Sequence, residues 1–114
     1  MKVLFNPRCS KCRILGKELD AQEIVWENVS YLEGALDRAL VAQIFETYAG
    51  NWHDLIRTKE KSFKALGIKI TTLSQEAAIE LVLENPVFIQ RPIVFKDGKA
   101  MIARDDDAVR EVLE

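Results

Sequence analysis

Two cysteines three positions apart, Cys9 and Cys12, stand where a short apolar run gives way to a helical pattern, and that junction constrains the fold more than any other feature. The run Lys2-Val-Leu-Phe stops at Asn6-Pro7, as a buried strand feeding a turn does. From Ser10 onward Ile14, Leu15 and Leu19 share one helical face, with Ser10 as the expected N-cap and the helix fading near Asp20. Residues 23–29, Glu-Ile-Val-Trp-Glu-Asn-Val, are rich in β-branched and aromatic side chains and follow after a short link. A strand–helix–strand unit is therefore predicted, and it puts Cys9 at the start of a helix.

The period turns helical through the middle of the chain, from about residue 33 to 86. Leu36, Leu40 and Ile44, flanked by Ala39, Phe45 and Tyr48, form an apolar face ending at Gly50. Further helical pieces are predicted around Trp52 to Ile56, over Glu60 to Leu66 before Gly67, and after a Ser74 cap, with Pro86 beyond the end of the last. Strands return at Pro92-Ile-Val-Phe and Ala100-Met-Ile-Ala, around an Asp97-Gly98 hairpin signal, and Asp105 can cap a closing helix. The expected fold is α/β, in the order β-α-β, helices, β-β-α. That order is similar to a thioredoxin-like domain with a helical insertion between its halves, here a single domain over residues 1–114.

Composition narrows the function classes. With 114 residues, 48% of them hydrophobic and 30% charged, the chain suits one globular core and no disordered class. A net charge of −2 gives no general attraction to nucleic acid, so direct nucleic-acid binding is not expected, although a local basic pocket stays open. The three apolar residues after Lys2 are too few for a signal-peptide core or a membrane span, which predicts a cytoplasmic protein without membrane contact. No apolar stripe is left unassigned, so a monomer is the default. Two cysteines and the single, distant His53 fall short of a structural zinc site; no metal is predicted, and redox chemistry is the better reading of the cysteine spacing.

A thiol reacts as its thiolate, and a helix start stabilises that anion through free backbone N–H groups and the helix dipole. Cys9 is therefore the candidate nucleophile. Arg8, Lys11 and Arg13 add nearby positive charge, and Cys12 is the candidate resolving thiol. His53 reads as a surface helix residue, and Trp26 and Trp52 as packing residues.

The segment Asn6-Pro7-Arg8-Cys9-Ser10-Lys11-Cys12-Arg13 resembles the Asn-Pro-x-Cys-x-x-Ser/Cys-Arg active-site loop of the glutaredoxin-dependent arsenate reductase family. Asp54-Leu55-Ile56-Arg57, Gln90-Arg91-Pro92-Ile93-Val94 and the Ile102-Ala103-Arg104 turn extend the resemblance over nearly the whole chain. It implies that Cys9 attacks arsenic while Arg57, Arg91 and Arg104 hold the oxyanion. Guanidinium chemistry agrees, because a planar guanidinium pairs with two oxygens of a tetrahedral anion and keeps its charge. The fold resembled also places a cis Pro92 opposite the cysteine, bringing Arg91 to the site and ranking it ahead of Arg57 and Arg104. Asn6 either hydrogen-bonds the loop or thiolate or simply starts the turn.

The resemblance further implies no bound cofactor, glutathione as co-substrate, and glutaredoxin or thioredoxin as partner. Two positions depart from the pattern: Phe5 stands where members commonly have histidine, and Cys12 where glutathione users often have serine. A Cys9–Cys12 disulfide therefore becomes available. It keeps two alternatives in view, a general thiol-disulfide oxidoreductase and an Spx-type redox-sensing regulator that binds RNA polymerase.

Overall fold

The computed structural model describes residues 1–114 and has the element order expected from the sequence. Strand β1 (Lys2–Leu4) runs toward helix α1 (Ser10–Ala21), and β2 (Glu27–Val29) returns parallel to β1. Near the C-terminus β3 (Ile93–Lys96) pairs antiparallel with both β1 and β4 (Lys99–Ile102), giving the sheet order β2-β1-β3-β4. Asp97 and Gly98 turn the hairpin with positive φ of 52° and 74°, the backbone that a tight two-residue turn requires. The final helix, α5, is Asp106–Leu113, and Asp105 caps it by accepting the Ala108 N–H at 2.7 Å.

Alternation along the strands sends side chains to opposite faces of the sheet, and each face carries its own core. Val3 and Val94, paired across β1 and β3, pack with Leu15 and Leu19 of α1 and Val112 of α5. Leu4 and Ile93, the next pair, face the other way, toward the helices between β2 and β3. Those helices are α2 (Arg38–Thr47), the short α3 (Lys61–Lys64) and α4 (Gln75–Glu84). Helix α2 packs on α4 and β4 through Leu40, Val41, Ile44 and Phe45. Burial on both faces explains why β1 and β3 read as continuous apolar runs.

Local chemistry sets the ends of these helices. Asp37 accepts the Leu40 N–H at 2.8 Å and starts α2 after Leu36, which packs from outside the helix. Ser74 caps α4 as expected, accepting from Ala77 at 3.1 Å. The Trp52 region is a 3-10 turn over Trp52–Leu55, and two further 3-10 turns, Ile70–Thr72 and Pro86–Phe88, lie outside the predicted elements.

Two expectations are corrected. The second strand was predicted over residues 23–29, but only Glu27–Val29 pairs, because β1 offers three residues to pair with. Glu23 instead takes φ 57° in the exit turn of α1, Val25 is 89% exposed, and the Trp26 indole donates to Asp20 at 2.8 Å. The predicted Ser10 cap is also displaced: Cys9 itself holds the N-cap position of α1, and Ser10 is the first helical residue.

Candidate active site

The turn between β1 and α1 is built on Asn6. Its side-chain oxygen accepts the Arg8 N–H at 3.0 Å and its backbone carbonyl accepts the Cys9 N–H at 3.0 Å, so both functions of one buried residue fold the loop. Arg13 reaches back from α1 to donate to the Pro7 carbonyl at 2.8 Å. Cys9 is thereby held at the N-cap with extended backbone, 7% exposed.

An N-cap side chain faces the unpaired N–H groups of the first helical turn. The Cys9 thiol forms no capping bond of the kind an oxygen makes, yet the backbone N–H groups of Cys12 and Lys11 bear on its sulfur. Burial pushes the Cys9 pKa up, but those N–H groups, the Cys12 thiol and the charge of Arg91 together hold it below the ordinary thiol value. Arg8, Lys11 and Arg13 are exposed, and the guanidinium that acts on the sulfur is that of Arg91, 82 residues further along the chain than Cys9 by the numbering.

Cys12 behaves oppositely. It is fully buried, with its sulfur 4.0 Å from the Leu4 carbonyl, and burial together with the negative charge of an ionised Cys9 raises its pKa to about 11. The pair thus combines one easily ionised thiol with one that stays protonated at neutral pH, where it can donate to the other's thiolate.

Arg91 enters from the loop ahead of β3, where the Arg91–Pro92 peptide bond is cis and Pro92 is buried. Its guanidinium lies beside both Cys9 and Tyr31, and its Nε is buried without a hydrogen-bond partner. Two neighbours steady the backbone around it: Gln90 accepts the Arg91 N–H at 3.1 Å, and Arg104 Nη1 donates to the Arg91 carbonyl at 2.5 Å. Arg57 arrives by a separate route. Residues 55–57 run against 88–90, with Gln90 N–H to Leu55 O at 2.7 Å and Arg57 N–H to Phe88 O at 2.6 Å, so the arginine sits beside the loop that carries Arg91.

Arg57, Arg91 and Arg104 line one open cleft of about 740 Å³, together with Lys59, Asp54 and Glu60. Cys9 is not part of that wall. It contacts the cleft through Arg91, while Arg57 and Arg104 bear on the cleft rather than on the sulfur. Arg57 is also partly engaged, pairing with Glu60 at 3.1 Å and donating to the Val87 carbonyl at 3.3 Å. His53, expected on a surface helix, lies on the cleft wall with its ring edge-on to Trp52 at a centroid distance of 4.3 Å. No three His, Cys, Asp or Glu side chains group closely enough to hold a metal ion.

Tyr31 escaped the sequence reading. It lies in the Tyr31–Glu33 3-10 turn after β2, is 1% exposed, and brings its phenol to Arg91 with Asn6 and Cys12 close by. Burial raises the phenol's pKa, so it stays a neutral, polar neighbour of the guanidinium. Phe5, at the position where the resembled family commonly has histidine, packs on Trp26 at 5.7 Å between ring centroids and brings no ionisable group to the sulfur.

The sequence profile of the ArsC family matches residues 4–112. The protein YfgD of Escherichia coli K12 is 36% identical, over 99% of this chain and 96% of its own length. An arsenate reductase of Neisseria meningitidis serogroup B is 31% identical, over 99% and 97%. The solved structure of an arsenate reductase from Vibrio cholerae superposes with a TM-score of 0.82 at 30% identity, covering 99% of this chain and 96% of that one. A global transcriptional regulator Spx of Streptococcus agalactiae also matches, at 28% identity over 97% of this chain and 81% of its own.

Proposed function

The chain belongs to the ArsC family, and from that premise we propose that it is an arsenate reductase-like thiol oxidoreductase whose nucleophile is Cys9. The observation that carries this reading is the pairing of Cys9 with Arg91: a thiol held toward its anion, against a guanidinium whose Nε has no partner. A tetrahedral oxyanion bound there gives Arg91 its missing acceptor and meets the sulfur at once. Arg104 and Arg57 complete the positive side of the cleft, Asn6 holds the loop, and Pro92 sets the approach of Arg91. Arg8 contributes its backbone N–H to the loop through Asn6, and its side chain points to solvent.

In this reaction the Cys9 thiolate forms a sulfur–arsenic bond and hydroxide leaves as water after protonation. Glutathione then attacks the Cys9 sulfur, the sulfur–arsenic electron pair stays on arsenic, and arsenite departs as a Cys9–glutathione disulfide forms. Glutaredoxin or thioredoxin reduces that disulfide, or Cys12 displaces glutathione from it and the resulting Cys9–Cys12 disulfide is reduced by one of those two proteins. Overall, two thiols become one disulfide while arsenic(V) becomes arsenic(III). In this scheme the protein binds no resident cofactor and works as a cytoplasmic monomer. No helix is long and apolar enough to cross a membrane.

The test is arsenate-dependent NADPH oxidation with glutathione, glutathione reductase and glutaredoxin present. Turnover that disappears in Cys9→Ser supports the reading, and absence of turnover in the unmodified protein rejects it. A second reading, a redox-sensing regulator switched by a Cys9–Cys12 disulfide, is favoured by the Spx relative and by the neighbouring, unpaired cysteines. Binding to the RNA polymerase α subunit that depends on oxidation of the two cysteines would select it.

A further inference from the structure

The three cleft arginines are in different states. Arg91 makes no side-chain hydrogen bond that satisfies its buried Nε, and Arg104 donates to a backbone carbonyl. Arg57 alone faces an anion already in the protein: its Nη2 meets Glu60 Oε2 at 3.1 Å while Nη1 is directed to the Val87 carbonyl at 3.3 Å. Both terminal nitrogens, the pair that a bidentate oxyanion uses, are thus occupied. Glu60 is positioned for this by its place in the chain. It is the N-cap residue of α3, yet its carboxylate caps nothing and turns instead to the arginine three residues earlier. Both side chains are largely shielded, 21% and 24% exposed, and both line the cleft.

We infer that Glu60 is a specificity-determining residue: its carboxylate occupies the guanidinium of Arg57 in place of a substrate anion, and so selects among anions by their charge. This rests on the reading of the cleft as an oxyanion site. An anion that engages Arg57 must displace Glu60, and the displaced carboxylate remains on the cleft wall as a like charge facing the ligand. That repulsion grows with ligand charge, so a dianion such as hydrogen arsenate or sulfate is penalised more than a monoanion such as nitrate. The cleft then holds oxyanions more weakly and more selectively than a bare arginine triad does. Asp54 and Asp105 also line the cleft and add to its negative background, but neither forms an ion pair with Arg57.

Calorimetric titration of the full chain with arsenate, sulfate and nitrate tests this in the unmodified protein, Glu60→Gln, Glu60→Ala and Arg91→Ala, each first checked by circular dichroism for a cooperative melt. Both Glu60 variants are expected to bind arsenate and sulfate about fivefold or more tightly than the unmodified protein, with a much smaller change for nitrate. The gain is expected to vanish when Arg57→Ala is combined with Glu60→Gln. Equal or weaker dianion binding in both Glu60 variants, while Arg91→Ala still abolishes binding, overturns the role of Glu60 and leaves the oxyanion site standing. No oxyanion binding by the unmodified protein or either Glu60 variant overturns the oxyanion reading and this inference with it.

Discussion

Arg104 donates from Nη1 to the backbone carbonyl of Arg91 at 2.5 Å, so one cleft arginine fastens the segment that delivers another to Cys9. The bond crosses from the turn ahead of α5 to the loop ahead of β3, and Ala103 N–H to Pro92 O at 3.0 Å runs beside it. Arg104→Ala is expected to lower kcat/KM for arsenate by about 10- to 100-fold, through loss of both positive charge and Arg91 alignment. Because Arg104 is exposed, the melting temperature should change little, with a stability loss of about 1 kcal/mol or less. Steady-state kinetics and a thermal melt on the same preparation check both halves.

The charge of Arg91 is among the causes that depress the Cys9 pKa, alongside the N–H groups of Cys12 and Lys11. Removing that charge in Arg91→Ala is expected to move the pH midpoint of Cys9 alkylation upward, so that less thiolate is present at neutral pH. Arg91→Lys, which keeps a charge but loses the planar fork, should move it less. The rate of iodoacetamide alkylation as a function of pH, in a Cys12→Ser background, measures it. An unchanged midpoint in Arg91→Ala contradicts the assignment.

For Cys12 the shift has the opposite sign, and it makes stability depend on pH. Its folded-state pKa is raised from 9.0 to about 11, so between those values the folded protein retains a proton that the unfolded chain has lost. Stability from this group is full below pH 9 and falls as pH rises toward about 11, by about 1–3 kcal/mol once its coupling to Cys9 is allowed for. Urea melts of reduced protein across that window should show a steeper loss than melts of Cys12→Ala.

Asn6 is expected to act through the loop. Asn6→Ala removes the acceptor of the Arg8 N–H from a buried site, and should cost about 1–2 kcal/mol. Asn6→Asp preserves the acceptor but places a negative charge near the two sulfurs, so it should raise the Cys9 alkylation midpoint while retaining more of the stability. Denaturant melts and alkylation profiles of the two variants separate these effects.

The parts of this arrangement that were legible in the sequence are those set by neighbours in the chain. The strand–turn–helix around Cys9, the Asp97-Gly98 hairpin and the Ser74 and Asp105 caps all follow from local backbone and side-chain chemistry. Ser10 was a reasonable cap by residue preference, but Asn6 folds the turn one residue earlier and leaves that position to Cys9. The length of β2 could not be read from its β-rich composition, because the three-residue β1 limits how much of it can pair. Tyr31 and Glu60 were missed as site residues for a related reason. Tyr31 meets Arg91 only through the tertiary fold, and although Glu60 is three positions from Arg57, the sequence alone does not indicate that this pair faces the cleft.

The most direct test of the central claim is mass spectrometry of the Cys12→Ser protein quenched after mixing with glutathione, with and without arsenate. The expected result is a glutathione adduct on Cys9 that forms only when arsenate is present and is absent from a Cys9→Ser, Cys12→Ser double variant. An adduct level that does not respond to arsenate would contradict attack by Cys9 on an oxyanion.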